Sequence, residues 1–395
     1  MSTLPHPVPP QVDVLQRRAL AVGAVGVVVS LVGALINPTQ FLHSYLFAFL
    51  FWNGIALGCL SLLMIQHLTG GMWGLAIRRL LEAGARTLPV LVLLFVPVVV
   101  GLKWIYPWAG SEPTDAALRE AIEHKHLYLN VPFFLLRAAF YFLVWIALAA
   151  ALNRWSLESD AGMDLRRARL LRSVSAGGLL LMGFTITFMS IDWSMSLDPR
   201  WFSTIYGMLF MIGQALSALA LCVVVITRMA AERPVAPVAN PNTLHDLGKL
   251  LFAFVMVWAY ISFSQFLIIW SGNLPEEIPW YLRRFHSGWR YVGLFLVLFH
   301  FGVPFLLLLS RGLKRRPRTL GTIALMILAA RVVDLGWIVR PEFPRPGFAL
   351  HWLDLALPVA IGGVWLWWFA RELKTRPLLP LGEPEVRALL TEAGA

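Results

Sequence analysis

The chain has 395 residues, 58% of them hydrophobic and only 14% charged, with a mean hydropathy of +0.70. Soluble domains carry about 25% charged residues, so this composition excludes a soluble fold and makes a bilayer the natural solvent. The net charge of +11 is then no sign of nucleic-acid binding, because membrane proteins gather Lys and Arg in loops held on the cytoplasmic side.

The first twenty residues, MSTLPHPVPPQVDVLQRRAL, are Pro-rich and polar ahead of Arg17 and Arg18. The apolar run after them ends in NPTQ without a small-residue cleavage pattern, which predicts an uncleaved first membrane helix. A helix needs about 20 apolar residues to cross the hydrocarbon. By that measure ten spans are expected, near 19–36, 41–67, 87–106, 128–152, 172–192, 202–228, 249–271, 288–310, 320–340 and 351–371. Two connections carry structure of their own. GMWGLAIRRLLEAGAR, residues 71–86, is amphipathic and is expected to lie along the interface. In the connection 107–127, Pro113 and the Asp115/Arg119 spacing predict a short surface helix. No soluble domain remains, so residues 1–395 read as one integral membrane domain, all-α and polytopic.

Charge orients the spans. The side with both termini and the connections after spans two, four, six and eight holds 22 Lys and Arg; the opposite side holds 9, Arg345 among them. The positive-inside rule therefore places both termini in the cytoplasm and supports an even number of spans.

A weak internal repeat runs through the chain. SYLFAFLFWNGIALGCL (44–60) and STIYGMLFMIGQALSAL (203–219) share seven of seventeen positions, including Gly54 and Gly213. Spans five and nine each place an Asp, 192 or 334, seven residues before a Pro, 199 or 341. The pattern suggests two parallel four-helix bundles, spans 2–5 (about 41–192) and 6–9 (about 202–340), with spans one and ten peripheral; chance likeness between apolar segments is the plain alternative. Sites in such folds tend to lie between the repeats.

Ionisable groups in hydrocarbon are costly, about 2.5–3.5 kcal/mol each at a helix centre on insertion scales, and are functional candidates by default. Here they are few: Arg137 in span four, Asp192 at the end of span five, His300 near the middle of span eight, Arg331 and Asp334 in span nine, His351 and Asp354 at the start of span ten. Gln265 adds polarity to span seven. Each has a plain reading. Arg331 and Asp334, at i,i+3 spacing, form a structural ion pair. His300 and Gln265 hydrogen-bond between helices. His351 and Asp354 cap a helix at headgroup level, and Asp192 is a solvated helix end. Together these groups gather in the outer half, as a polar cavity, a proton route or a quinol headgroup pocket requires. The Trp and Tyr residues near span ends, from Trp104 to Trp289, are expected to form an interfacial belt.

Several chemistries have no footing. Cys59 and Cys222 lie in separate apolar runs and offer no CxxC pair or haem-attachment motif. A membrane bis-His haem needs two histidines at matching depth, and His300 has no such partner in the sequence. There is no P-loop and no nucleotide-binding glycine motif.

Two passages, SIDWSMSLDPRWFSTIYG (190–207) and ISFSQFLIIWSGNLPEEIPWYLRR (261–284), with the ten-span layout, resemble the ActF-type membrane subunit of bacterial alternative complex III. That subunit belongs to the NrfD or polysulfide-reductase-like membrane family. The resemblance extends from span two to span ten. It implies a bacterial inner-membrane subunit of a respiratory quinol:cytochrome c (or other acceptor) oxidoreductase, with two four-helix bundles. It also implies partners: a sister ActC-type membrane subunit, an iron–sulfur subunit and c-type cytochrome subunits. Menaquinone or ubiquinone and membrane lipid are the implied ligands, with no covalently bound cofactor and no redox centre in this chain. Whether the subunit binds quinol, conducts protons or only scaffolds is left open by the resemblance. A quinol losing two electrons also releases two protons, which Asp192, Asp334 and Asp354 could relay, with His300 extending the path inward and Arg137 and Arg331 tuning the carboxylates. The competing readings are a secondary transporter or channel, which would show broken helices at matching positions in the two halves, and a purely structural subunit.

Overall fold

The computed structural model describes residues 9–394 apart from 111, 112, 114, 161, 163, 287, 344–347 and 349. It is 82% helix, with no strand among the described residues. The principal helices, in chain order, are α1 (Pro10–Ile36), α2 (Pro38–Thr69), α3 (Met72–Ala85), α4 (Leu88–Val100), α5 (Val131–Ser159), α6 (Leu165–Trp193), α7 (Tyr206–Arg228), α8 (Pro241–Gly272), α9 (Trp289–Leu309), α10 (Pro317–Val339) and α11 (Leu353–Lys374). Among the described residues, all of these except α3 and α4 are individually long and apolar enough to cross a membrane, which makes nine. The protein is therefore a multi-pass helical membrane protein. Arg345 and the first eight residues lie outside the described residues.

The helix starts follow from local chemistry. The side chains of Asn37, Asn130, Asp164 and Asn240 each accept a hydrogen bond from a backbone N–H in the first turn that follows. Proline occupies the first turn of α2, α5, α8 and α10, where its missing N–H costs nothing. α2 ends at Gly70 with φ +67, a conformation glycine adopts freely, and α8 ends at Asn273 with φ +48, the left-handed stop that closes many helices.

Residues 71–86, expected along the interface, form a helix packed mostly inside the protein. α3 runs back antiparallel to α2, with Arg78 on Gln66 and a Cβ on Gly84 falling against Cys59 Sγ, and it is buried from Gly74 to Ala85. α4 continues the same path after a 41° bend, as the Tyr45 hydroxyl on Leu94 O shows. Counted as one span, the bent pair would bring the nine candidate spans among the described residues to ten. The polar stripe of α3 meets protein, not headgroups: Arg79 pairs with Glu82 and Asp160, Ser156 donates to Glu82, and Arg78 pairs with Glu383. A sequence moment reports that a helix has two faces, but not what the polar face touches.

α2 and α7 form the centre. In their most apolar stretches 89% and 83% of residues are buried, against 28% for α8 and 22% for α9. They meet through glycine: a Cβ on Gly54 would press on the Gln214 side chain, and one on Gly58 would overlap the Gln214 backbone. These are the two helices whose sequences align. α1 packs on α11 through a similar small-residue stripe, Gly23 on Gly363 and Gly26 on Ala360, the close approach that membrane helices use in place of a hydrophobic drive.

Contacts sort the connections into two ends. At one end, Lys374 pairs with Asp13, Arg376 with Glu82, and Arg86 with Glu372, joining residues near both termini to α3. At the other, Arg200 pairs with Asp115, Arg283 with Asp198 and Glu342, and Arg340 with Asp354. The first is the Arg-rich end and the second the far end. The surface helix expected in 107–127 is present as Ala116–His124, but its predicted Asp115/Arg119 pair is not: Asp115 caps the helix and binds Arg200, while Arg119 donates to Pro113 O. The expected aromatic belt is also corrected. Tyr106, Trp108, Trp201, Trp280, Tyr281 and Trp289 are buried, and only Trp104 of the far-end group is exposed. They pack in separate groups, Tyr106 with Trp108 and Trp201 with Trp280, whose rings stack at 5.1 Å.

Candidate functional site

The sequence-predicted residues fall into three separate clusters in the far half, and Gln265 stands apart from all three.

The first cluster joins α5 and α6. Asp192 is 0% exposed, so it is not a solvated helix end. Its Oδ2 accepts from Arg137 Nε and its Oδ1 from Arg137 Nη2, both at 2.9 Å, and the Tyr141 hydroxyl donates to Oδ2 at 2.7 Å. Arg137 also donates to Tyr128 O, and its guanidinium lies over the Tyr128 and Phe133 rings at 3.9 and 4.2 Å. A bidentate pair with this many partners is a satisfied unit.

The second cluster lies where α7, α8, α9 and α10 meet. Arg331 pairs with Asp334 one turn along α10. Arg331 Nε also reaches Ser217 Oγ on α7 at 3.4 Å, and Trp258 Nε1 on α8 donates to Asp334 Oδ2 at 3.2 Å. Gly213 is required here, because a Cβ would overlap the guanidinium. His300 enters from α9, on a π-helical segment, Leu296–Gly302. Such bulges cluster at functional sites. Its ring lies 3.8 Å from that of Trp258, it is fully buried, and neither ring nitrogen has a hydrogen-bond partner among the described residues. A cavity of about 20 Å³ adjoins this cluster between α2, α7 and α10, lined by Gly54, Gly213, Gln214, Ser217 and Arg331 with apolar neighbours.

The third cluster ties α11 to α2. Asp354 accepts from the His351 backbone N–H at 2.9 Å, the cap expected from sequence. It does more: Ser44 Oγ donates at 2.5 Å, Gln40 Nε2 lies at 3.4 Å, and Arg340 Nη2 lies at 3.2 Å. Gln265 is buried on α8.

A far-end network closes over these clusters. Arg284, 0% exposed, stacks on Trp280 at 3.3 Å and donates to Trp337 O, Ile338 O and Glu342. It thereby satisfies the last carbonyls of α10, the helix that carries Arg331 and Asp334. Burial alone would raise the Asp198 carboxyl, but the hydrogen bond from Arg200 and the charges of Arg283 and Arg200 outweigh it and hold Asp198 below its ordinary value. Above this network lies a surface vestibule of about 670 Å³ lined by residues that include Glu120, Asp198, Arg200, Trp201, Trp280 and Arg283.

Sequence reading missed Arg284, Glu342, Gln214, Trp258, Tyr141 and Ser44. The signal for Arg284 was present in the quoted YLRR passage. Gln214 was visible as a polar side chain in an apolar run. What sequence could not supply was rotation about each helix axis, which decides which neighbour a buried group meets.

The described cavities differ in size and lining. Ligand pockets run to about 300–1,000 Å³ with a few convergent polar groups. The polar cavity at Arg331 is far smaller. A groove of about 580 Å³ between α1 and α11 has the room but is lined by apolar residues such as Val25, Trp352 and Val359. The vestibule is large, but Asp198, Arg200 and Arg283 there are engaged with one another.

The chain matches no protein-family model and no curated protein.

Proposed function

We propose that this chain is a membrane subunit of a quinol:electron-acceptor oxidoreductase of the bacterial inner membrane, and that it handles protons without a redox centre of its own. The single observation that carries the proton-handling part is the Arg331–Asp334 pair, buried in an apolar bundle beside a small polar cavity and within one aromatic ring of His300. An intramembrane ion pair facing a cavity marks an ion or proton pathway by default. The complex and its partners rest on the resemblance of residues 190–207 and 261–284. Those passages contain Asp192, Asp198, Trp280, Arg283 and Arg284, which build or cover the clusters above.

In this reading the Arg-rich end faces the cytoplasm and both termini lie there. α2 with α3–α6, and α7–α10, are the two bundles, and α1 and α11 are peripheral. By the resemblance, the sister ActC-type subunit is the better-supported quinol binder, and the apolar α1–α11 groove is assigned to lipid. The chain contributes carboxylates that accept and pass on protons released nearby.

A transporter is the less supported reading. Broken helices would fall at matching positions in the two halves. The bend here lies between α3 and α4, whereas α8, their counterpart under the repeat, is unbroken over 32 residues.

Gentle solubilisation followed by identification of co-purifying proteins tests the assignment. Partners carrying c-type haem and iron–sulfur clusters are expected. A lone colourless protein that moves solute into liposomes would overturn it. Within the intact complex, Asp334→Asn is expected to slow proton release by roughly 100-fold or more, the scale of one general acid–base group. Unchanged quinol oxidation and proton release would leave only a structural role.

A further inference from the structure

Gln214 brings a polar amide into the α2–α7 contact. It is 5% exposed, it lines the cavity beside Arg331, and its Oε1 has no hydrogen-bond partner among the described residues. A buried acceptor left unpaired loses its hydration with nothing in return. Across the same cavity, Arg331 uses Nη1 for Asp334 and Nε for Ser217, while Nη2, with no hydrogen-bond partner among the described residues, packs on Gly213 where a Cβ would otherwise lie. Ser217 is already engaged, donating to Gly213 O at 2.7 Å. The cavity thus presents an acceptor with no donor and a guanidinium with an unused donor.

Size selects what joins them. A cavity needs roughly 10–15 Å³ to hold one water molecule, which then needs two to four polar partners. This one measures about 20 Å³ and has its polar groups on α7 and α10. A lipid chain or quinone ring does not fit, and a cation would face the Arg331 charge.

We infer that the cavity between α2, α7 and α10 is a binding site for a single water molecule, held by Gln214 Oε1 and the Arg331 guanidinium. The water accepts from Arg331 Nη2 and donates to Gln214 Oε1. Glycine at 54 leaves the Gln214 side chain its place: a Cβ there would come within 3.0 Å of Gln214 Cγ. The site hydrates the Arg331–Asp334 pair from the α2 side, where the lining is otherwise apolar. It rests on the proton-handling reading only for its use, not for its existence.

The test is a density map of the full complex, at a resolution that shows ordered water, for the natural protein and for Gln214→Leu. One isolated peak within hydrogen-bond distance of Gln214 Oε1 and Arg331 is expected, absent in Gln214→Leu while the Arg331–Asp334 pair persists. No peak in the natural protein, or elongated density of a lipid or quinone, overturns the inference. If the Leu variant does not assemble, the natural map alone decides. A dry cavity would sink this site and leave the proton-handling proposal standing; normal proton release by Asp334→Asn would do the reverse.

Discussion

Arg137 and Asp192, on neighbouring helices and 55 residues apart, meet in a two-bonded ion pair with both N–O distances at 2.9 Å. The pair lies inside a bundle whose outer faces are apolar. Its partners account for both carboxylate oxygens, so its first role is to hold α5 against α6.

Removing one member should cost far more than removing both. Asp192→Asn leaves a buried guanidinium without its counter-charge, a loss of about 3–5 kcal/mol. Arg137→Met combined with Asp192→Leu should recover most of that, because apolar replacement of a buried pair is often neutral. Unfolding curves of the detergent-solubilised protein check it. Equal losses for the single and double variants would show that the pair is not the relevant unit.

Asp198 gives the far end a pH limit. Its folded pKa is held below the ordinary 3.8. The Arg200 and Arg283 pairs therefore add stability that is fully present well above pH 3.8 and is lost as pH falls through 3.8 toward the lower folded value. Hydrogen exchange of residues 194–205, followed against pH, should show protection persisting below pH 3.8. Arg283→Gln should move the loss to higher pH.

Orientation can be read with single cysteines. Ala117, in the far-end surface helix, and Ala388, near the C-terminus, are both exposed. Ala117→Cys should react with a membrane-impermeant maleimide added to intact cells, and Ala388→Cys only after permeabilisation. Cys59 and Cys222 are buried and should stay silent. The reverse pattern would invert the proposed topology.

The α1–α11 contact should tolerate no side chain at its centre. A Cβ on Gly363 would overlap the Gly23 backbone, which cannot move aside as a flexible side chain could. Gly363→Val should cost about 1–3 kcal/mol, the usual scale of overpacking. The readout is a lowered melting temperature together with new protease sensitivity of α1. Stability equal to that of the natural protein would mean the two helices do not pack as closely as the glycine stripe requires.

By itself, the sequence determined the solvent and the helices. A chain with 58% apolar residues in runs of about twenty has no stable alternative to membrane helices, because backbone groups in hydrocarbon must bond within their own segment. Each expected single-helix span overlaps an observed helix, and Asp354 was legible as a cap. Sequence also picked out Asp192, Asp334, Arg331 and His300 through the cost of burying them. Only the tertiary structure decided what each of them meets. It turned α3 inward with Glu82 buried, separated Asp192 from Asp334 into different clusters, and placed Gln214 against Arg331 across a gap between helices. The reason is geometric. Hydropathy reports how deep a residue lies along a helix, whereas partners depend on rotation about the axis and on how closely glycines let neighbouring helices approach.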